Sequence, residues 1–334
     1  MPPSVSVVIP CRNEEKTIHA VLDALRQQTY PQDLVEVVIA DGLSTDATRT
    51  VIAAYQKRQP EMNLQLVDNP SRSIPSGVNA AIRAAHGEVI VRMDAHALPN
   101  ADYIERCVHA LTEGLGDNVG GVWDITPQND TLMARAIAAA AAHPLAAGDA
   151  RYRFAEKAGI VDTVPFGAFQ RSLLEKIGYF DETLLSNEDY EFNTRIRQSG
   201  GKIWLDPNIR CVYYARKNLK ELSKQYWRYG FWKAQMLKRY PKTLRLRQAL
   251  PPVFVAGIGL LIAASFFFRP ARIVLLAVLG VYLLALLLAG AQIAWRKKDF
   301  SLLFGVPPAI AAMHFSWGAA FWPGLCTRQT RTNH

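Results

Sequence analysis

Short apolar runs alternate with segments of helical period along the first hundred residues. Four runs rich in β-branched side chains predict strands: 4–10, 35–41, 63–67 and 88–94. Three intervening segments predict helices: 13–28, with Asn13 as N-cap, 45–58 and 76–86. Strands that alternate with helices of this length imply βαβ units and a parallel sheet covered on both faces.

The pattern changes in the middle of the chain. Residues 131–150 are rich in alanine and end in His-Pro and Gly-Asp, which predicts a helix that breaks into a loop. Two further helices are expected near 171–177 and 187–198, followed by a strand around 202–205.

Polar side chains follow three of the predicted strands. Pro10-Cys11-Arg12-Asn13-Glu14, Asp41-Gly42 and Asp94-Ala95-His96 stand at the strand ends. Open α/β sheets bind ligands beyond the carboxyl ends of their strands, so these residues predict a binding cleft.

The segment 217–248 is basic and aromatic. It carries ten Lys and Arg against one Glu, with Trp, Tyr and Phe between them. This pattern predicts a helix at a membrane surface, with its cations toward lipid phosphates. The alternative is an ordinary solvated face.

Three uncharged runs follow, and they favour the membrane-surface helix over the solvated face. Residues 248–268, 273–295 and 302–327 hold no Asp, Glu, Lys or Arg, and a spanning helix needs about 20 mostly apolar residues. We expect spans at about 249–268, 273–295 and 302–325, the third kinked or re-entrant because of its prolines and glycines. The predicted organisation is a soluble domain (1–216), an interfacial segment (217–248) and a transmembrane region (249–334).

The net charge of +9 is an average over two different parts of the chain. Residues 217–334 hold 17 basic and 2 acidic residues, whereas residues 1–216 are net acidic. A nucleic-acid partner is therefore not expected. The basic residues before the first span place the soluble domain in the cytosol, as do the four unpaired cysteines and the missing signal peptide.

Three motifs carry candidate chemistry, and each has a structural alternative. The first motif suits the binding of a base or ribose, but a turn and N-cap explain it equally well: Asp41-Gly42-Leu43-Ser44-Thr45-Asp46. Asp94 and His96 are spaced to share one divalent cation, or to be structural. Asn187-Glu188-Asp189-Tyr190-Glu191 crowds carboxylates that raise one another's pKa, as a general base requires, or that complement a helix dipole.

Taken in order, these motifs resemble the family-2 glycosyltransferases of the GT-A fold. The resemblance rests on PCRNEE, DGLSTD, residues 69–87, DAH and NEDYE, and covers about residues 4–240. The stretch VRMDAHA and the region from VPFGAFQ to WLDP are most similar to the membrane-anchored succinoglycan-biosynthesis type. The resemblance implies a Rossmann-like, mixed and mostly parallel sheet, a UDP-sugar donor and a divalent cation, Mn²⁺ or Mg²⁺.

The resemblance also assigns residues. Those implied to bind the donor lie in the first loops and in the segment after the third strand: Pro10, Arg12, Glu14, Asp41, Arg72, Gly77, Asn79 and Arg83. Asp94 is implied to contact the ribose and the metal, and His96, at the second Asp of the usual Asp-x-Asp, becomes a metal ligand. Asp189 matches the catalytic base, with Glu188 beside it.

Gln225-Tyr226-Trp227-Arg228-Tyr229 resembles the family's Gln-x-x-Arg-Trp motif, with Tyr229 in the Trp position. Arg228 is then expected to stabilise the departing diphosphate, or to be one more interfacial cation.

The expected function is an inverting transfer of a hexose, glucose, from a UDP-sugar to a hydroxyl of a polyprenyl-diphosphate-linked sugar. The expected location is the inner membrane, with the membrane lipids as partners. One alternative is direct transfer to polyprenyl phosphate, and another is a non-catalytic nucleotide-sugar-binding protein.

Overall fold

The computed structural model describes residues 1–327. The chain forms two compact units, the first from Met1–Asp124 and Phe154–Tyr213, the second from Ile125–Arg153 and Tyr214–His334. The second unit thus takes in residues 125–153, which the sequence analysis assigned to the soluble domain. The reason is apolar burial, because the alanines of this segment belong to the core of the second unit.

Within residues 1–327, nine strands form one mixed sheet. They are β1 (Val5–Cys11), β2 (Val35–Asp41), β3 (Asn63–Asp68), β4 (Val89–Arg92), β5 (Leu98–Pro99), β6 (Asn118–Pro127), β7 (Gly159–Ile160), β8 (Ala168–Gln170) and β9 (Ile203–Ala215). Their order is β3-β2-β1-β4-β8-β6-β9-β5, with β7 beside β9. Strands β3, β2, β1 and β4 pair in parallel, and β8 joins β4 antiparallel.

Six helices belong to the first unit within the described residues. They are α1 (Ile18–Arg26), α2 (Thr48–Arg58), α3 (Ile74–Ala84), α4 (Tyr103–Thr112), α7 (Leu173–Ile177) and α8 (Glu188–Gln198). All seven residues of β1 are buried, as expected for a central strand covered on both faces. The predicted mixed sheet with interleaved helices is confirmed.

The predicted N-cap Asn13 is wrong. The first helix begins at Ile18, and Asn13 has a left-handed backbone with φ of 56°. Its side-chain Oδ1 instead accepts a hydrogen bond from the Thr45 amide at 2.8 Å. Asparagine tolerates this conformation better than most residues, which explains why the chain turns here before the helix starts.

The second unit is mostly helical in the residues described, apart from the last residues of β6 and β9. Its helices are α5 (Leu132–Ala141), α6 (Pro144–Ala147), α9 (Leu219–Arg239), α10 (Leu246–Ser265), α11 (Arg269–Lys297) and α12 (Leu302–Cys326). Buried alanines of α5 share a core with apolar side chains of α9, α11 and α12. The helix over 131–150 that breaks into a loop is confirmed by α5 and the short α6.

Three of these helices are long and apolar enough to cross a membrane. The best windows of α10, α11 and α12 have mean hydropathies of 1.7, 2.8 and 1.2. The expected apolar runs are thus confirmed as helices. The third is one continuous helix of 25 residues, although it contains Pro307, Pro308 and Pro323.

Candidate active site

A cleft of about 550 Å³ opens at the carboxyl ends of β1 and β4 and beside the start of α3. Six of the residues singled out in the sequence line it together: Pro10, Arg12, Glu14, Arg72, Asp94 and His96. The prediction that polar strand ends meet in one cleft is confirmed.

The loops after β1 and β2 are joined by hydrogen bonds. The Asn13 amide donates to Ser44 Oγ at 2.9 Å, and the Glu14 amide donates to Thr48 Oγ1 at 2.8 Å. In return, Glu15 Oε2 accepts from the Ala47 amide at 2.9 Å. These bonds fix the chain on either side of Arg12 and Glu14, two of the cleft residues.

Asp41 is fully buried and does not line the cleft. Its Oδ2 accepts hydrogen bonds from the Ser44 amide at 3.1 Å and from Arg49 at 2.8 Å. Arg49 also bonds Asp68 at 2.7 Å and so ties the ends of β2 and β3 together. In this structure the Asp41 carboxylate therefore organises the loop, whereas Gly42 beside it faces the cleft.

The turn before α3 brings Arg72 to the cleft. Arg72 has a φ of 57°, and Ser73 caps α3 by accepting from the Ser76 amide. Gly77 packs against the end of β1, since a Cβ on it would lie 3.0 Å from Pro10 Cβ and 2.9 Å from Asn69 Nδ2. Gly77 thus permits the close approach of α3 and lies behind the cleft.

Asn79 and Arg83, further along α3, face another part of the unit. Buried Asn79 donates to the Phe180 carbonyl at 2.9 Å and to Glu182 at 2.8 Å, and accepts from the Phe180 amide at 3.0 Å. Arg83 lies 3.8 Å from Glu182 and over the ring of Tyr179. Neither residue lines the cleft, and both hold the segment that precedes α8.

Asp94 and His96 face each other inside the cleft. Asp94 Oδ2 and His96 Nε2 are 4.0 Å apart, and His96 Nδ1 lies 2.9 Å from Glu14 Oε1. In the tautomer whose Nδ1–H donates to Glu14, Nε2 is the ring nitrogen able to bind a cation. In the described residues, no group of three or more His, Cys, Asp and Glu side chains is arranged to hold a metal ion.

A buried arginine at the end of β4 gathers three carboxylates. Arg92 Nη2 lies 2.9 Å from Asp94 Oδ1 and 3.2 Å from Glu188 Oε1, and its Nη1 lies 3.2 Å from Asp189 Oδ2. The guanidinium also lies over the Phe166 ring. We refer to Arg92, Asp94, Glu188 and Asp189 as the Arg92 cluster.

The start of α8 supplies two members of this cluster. Asn187 precedes the helix with a left-handed φ of 65°, and Glu188 and Asp189 form its first turn. The left-handed residue turns the chain so that both carboxylates reach Arg92. The predicted helix over 187–198 is confirmed.

Asp189 has the properties of a proton acceptor near neutral pH. Burial raises the pKa of Asp189 to about 7, opposed by Arg92 and reinforced by Glu188 and Asp94. Its side chain nevertheless keeps 24% of its surface exposed, so a substrate hydroxyl can reach it. The expected crowding of carboxylates thus coincides with a perturbed acid that Arg92 joins to Asp94, a residue of the cleft lining.

Arg92 was missed by the sequence reasoning. It reads as one charged residue inside the apolar run Val89-Ile90-Val91, and a strand-end cation pointing to solvent is the ordinary interpretation. An arginine in a strand that is buried on both faces needs anionic partners, because a buried unpaired charge is unfavourable. This requirement is the sequence feature that could have identified Arg92. Arg228, predicted over the diphosphate, is exposed on α9, with its guanidinium over Tyr229.

Comparison with known proteins identifies the family. The model of "Glycosyl transferase family 2" matches residues 6–178. Succinoglycan biosynthesis protein ExoA of Rhizobium meliloti is 30% identical over 96% of this chain and 94% of its own length. A dolichyl N-acetyl-alpha-D-glucosaminyl phosphate 3-beta-D-2,3-diacetamido-2,3-dideoxy-beta-D-glucuronosyltransferase of Methanococcus voltae is 29% identical over 70% of this chain and 74% of its own.

A solved structure supports the same fold. The mannosyltransferase PcManGT from Pyrobaculum calidifontis, in complex with GDP-Man and Mn²⁺, superposes with a TM-score of 0.64 at 25% identity. The match covers 93% of this chain and 86% of the other. Family and fold therefore agree with the resemblance found in the sequence.

Proposed function

The chain belongs to glycosyl transferase family 2, and from this premise we propose an inverting transfer of a hexose, glucose, from a UDP-sugar to a hydroxyl of a lipid-linked sugar. The Arg92 cluster carries this proposal. Through one guanidinium it holds Asp94, the expected donor-side carboxylate, and Asp189, whose pKa is raised to about 7. A donor and an acceptor that meet here would have a base beside the reacting carbon.

The donor half of the proposal rests on the lining of the cleft. Arg12 and Arg72 are its cationic side chains and suit a diphosphate. Gly42 lets Arg12 lie across the end of β2, because a Cβ there would lie 3.2 Å from the arginine side chain. Asp94 is positioned for a ribose hydroxyl as well as for a cation.

The residues present fit a divalent cation held with the donor. The 4.0 Å between Asp94 Oδ2 and His96 Nε2 accommodates one ion, since each ligand of Mg²⁺ lies about 2.1 Å from it. Glu14 orients the imidazole from the other side, as carboxylates commonly do behind metal-binding histidines. Two protein ligands suffice where substrate phosphates complete the shell, and the bound ion would supply charge opposite the departing diphosphate.

The proposed reaction is a single displacement. Asp189 takes the proton of the acceptor hydroxyl while that oxygen forms a bond to the anomeric carbon. The bond from this carbon to the diphosphate breaks on the opposite face, and UDP leaves with both bonding electrons. The products are an inverted glycoside, UDP and a protonated Asp189, which then releases its proton to water.

The acceptor half of the proposal is supported by the apolar helices and by a relative. The name of the Methanococcus voltae protein describes transfer to a sugar already carried on a lipid phosphate. Helices α10 and α11 would keep such a lipid beside the enzyme. We place the enzyme in the inner membrane with its first unit in the cytosol, acting in polysaccharide or glycan biosynthesis.

The test measures transfer of label from UDP-[14C]glucose to the lipid fraction of membranes that contain the full-length protein. Wild type should label lipid, and Asp189→Asn should lose about 10²–10⁴-fold, the usual contribution of a positioned base. Asp102→Asn, in an exposed pair with Arg106, is the matched control and should retain activity. Full turnover by Asp189→Asn would remove the base assignment.

The same assay decides the donor and the kind of acceptor. GDP-[14C]mannose in parallel tests whether the donor follows PcManGT rather than the UDP-sugar proposed. Mild acid then distinguishes two products, because it cleaves the anomeric phosphate bond of both but leaves a sugar–sugar glycosidic bond intact. A sugar linked directly to polyprenyl phosphate is released as the free labelled monosaccharide, whereas a glycosidic extension is released as a labelled disaccharide or longer. Release of the label as free monosaccharide would replace the lipid-linked sugar with polyprenyl phosphate as acceptor.

A further inference from the structure

Helix α12 is buried differently from the other two apolar helices. In its most apolar window, 44% of the residues are buried inside the protein, compared with 17% for both α10 and α11. It is long enough to cross a membrane, yet it also carries the lowest mean hydropathy of the three, 1.2. The neighbours that bury α12 show where it lies.

The basic helix α9 packs along α12. A Cβ on Gly230 would overlap the Trp317 carbonyl oxygen, and Gln235 Nε2 donates to the Gly324 carbonyl at 2.7 Å. Nearer the helix starts, apolar residues of both helices belong to one core: Leu222, Tyr226, Val306, Ile310 and Met313. Residue numbers rise together along both helices, so α9 and α12 run side by side in the same direction.

Helix α9 cannot cross a lipid bilayer. Four of its cations are exposed: Lys220, Lys224, Arg228 and Lys238. Its 21 residues extend about 31 Å, close to the about 30 Å of a hydrocarbon core. If α12 crossed the membrane, α9 would bring these charges through the hydrocarbon beside it, where exposed cations are strongly unfavourable.

Within the described residues, α12 contacts the half of the α10–α11 hairpin that lies away from its turn, as far as Phe254 of α10 and Tyr282 of α11. Trp317 Nε1 donates to the Gln248 carbonyl and Trp322 Nε1 to the Pro252 carbonyl, each at 3.2 Å, in the first turns of α10. Pro307 lies 3.3 Å from the position of a Cβ on Gly290, near the end of α11. Because three residues join α10 to α11, the start of α10 and the end of α11 lie on one side of the membrane.

We propose that the chain crosses the membrane twice, through α10 and α11, and that α12 lies in the near interface with α9. The exposed cations of α9 meet anionic lipid headgroups, and exposed apolar residues of α12 enter the near leaflet: Phe304, Phe315, Trp322 and Leu325. The partner of the α9–α12 pair is thus a lipid surface. The end of α12 then lies on the same side as the first unit.

A native cysteine makes this testable in the full-length protein. Cys326 ends α12 and is exposed, whereas Cys11, Cys107 and Cys211 are buried. A membrane-impermeant maleimide is applied to inside-out and right-side-out vesicles. Two reporters in a Cys326→Ser background mark the sides: Lys57→Cys on the first unit and Phe267→Cys in the α10–α11 turn. Cys326→Ser alone gives the background.

The proposal expects Cys326 to be labelled in the same vesicles as Lys57→Cys, with Phe267→Cys labelled in the opposite ones. Labelling of Cys326 together with Phe267→Cys would mean three crossings and would overturn it. An epitope tag added after His334 gives a second measurement by protease digestion, which decides the side even if lipid shields Cys326. None of these measurements depends on catalytic activity.

Discussion

Replacing Arg92 by methionine removes the cation of the Arg92 cluster and leaves the carboxylates of Asp94, Glu188 and Asp189 close together. Arg92 opposes the burial that raises the pKa of Asp189 to about 7. Without it the pKa should rise further, because the desolvation and the two neighbouring carboxylates then act without the opposing charge of Arg92. The expected effect is a shift of the pH–rate profile to higher pH.

The structure sets the size of this shift. Two unit charges about 4 Å apart interact by about 4 kcal/mol at an effective dielectric constant of 20. Since 24% of the Asp189 side chain is exposed, solvent weakens this interaction, and we expect a rise of about two pKa units, or about 2.7 kcal/mol. The ionised fraction of Asp189 at pH 7 then falls from about half to about one hundredth.

The assay is kcat/KM for transfer from the nucleotide sugar to lipid between pH 5.5 and about 9.5. Wild-type activity should rise about tenfold per pH unit below about pH 7 and level off above it, since the ionised carboxylate is the active form. Arg92→Met should lose about 50-fold at pH 7 and regain activity at higher pH. Arg92→Lys, which keeps the charge, and exposed Arg106→Met are the controls. An Arg92→Met profile that coincides with wild type would refute this reasoning.

Three further predictions concern the proposed metal ligand His96, the positioning residue Asn79 and the close packing of Gly87 against β1. His96→Ala should raise the half-saturating Mn²⁺ concentration at least about tenfold, because it removes one of the two protein ligands that we propose. Asn79→Ala should destabilise the protein by about 2 kcal/mol with an unchanged donor KM, whereas Arg72→Ala should raise the KM with an unchanged Tm. Gly87→Ala should cost about 1–3 kcal/mol of unfolding free energy, since its Cβ would lie 2.6 Å from the Ser6 amide nitrogen.

Titration of activity with Mn²⁺ checks the first prediction. Thermal unfolding together with the donor KM checks the second, and urea unfolding checks the third. An unchanged Mn²⁺ requirement in His96→Ala would contradict its role as a ligand. An increase of the donor KM in Asn79→Ala would indicate that Asn79 does bind the donor. The comparison variant for Gly87→Ala is Gly114→Ala, at an exposed glycine whose added Cβ would have no atom within 4 Å. It controls for steric overlap of the new Cβ but not for backbone strain, because Gly114 has a left-handed φ of 65°.

The strands and the cleft could be predicted because they depend on local patterns. Apolar runs and the polar residues that end them identified β1, β2 and β4, and the topology of parallel sheets then brought their ends together. The contacts that a side chain makes with distant parts of the chain were harder to predict. Asn79 looked like a ligand beside Arg72, yet a helix turns 100° per residue, and Asn79 faces Phe180 instead.

Arg92 shows the second limit of sequence reasoning. Its role depends on α8, which begins almost a hundred residues later and places Glu188 and Asp189 against it. No local pattern encodes such a long-range ion cluster. The burial of the strand was predictable, and the need of a buried arginine for anionic partners was the only indication available.

The hydrogen bonds between the first two loops have a consequence for engineering. Residues 13–15 and 44–48 bond one another through both main-chain and side-chain groups. A loop taken from a relative to change nucleotide preference would arrive without its partners and leave amides unsatisfied. The two segments should be exchanged as one piece, so that this corner of the cleft behaves as a single transplantable module.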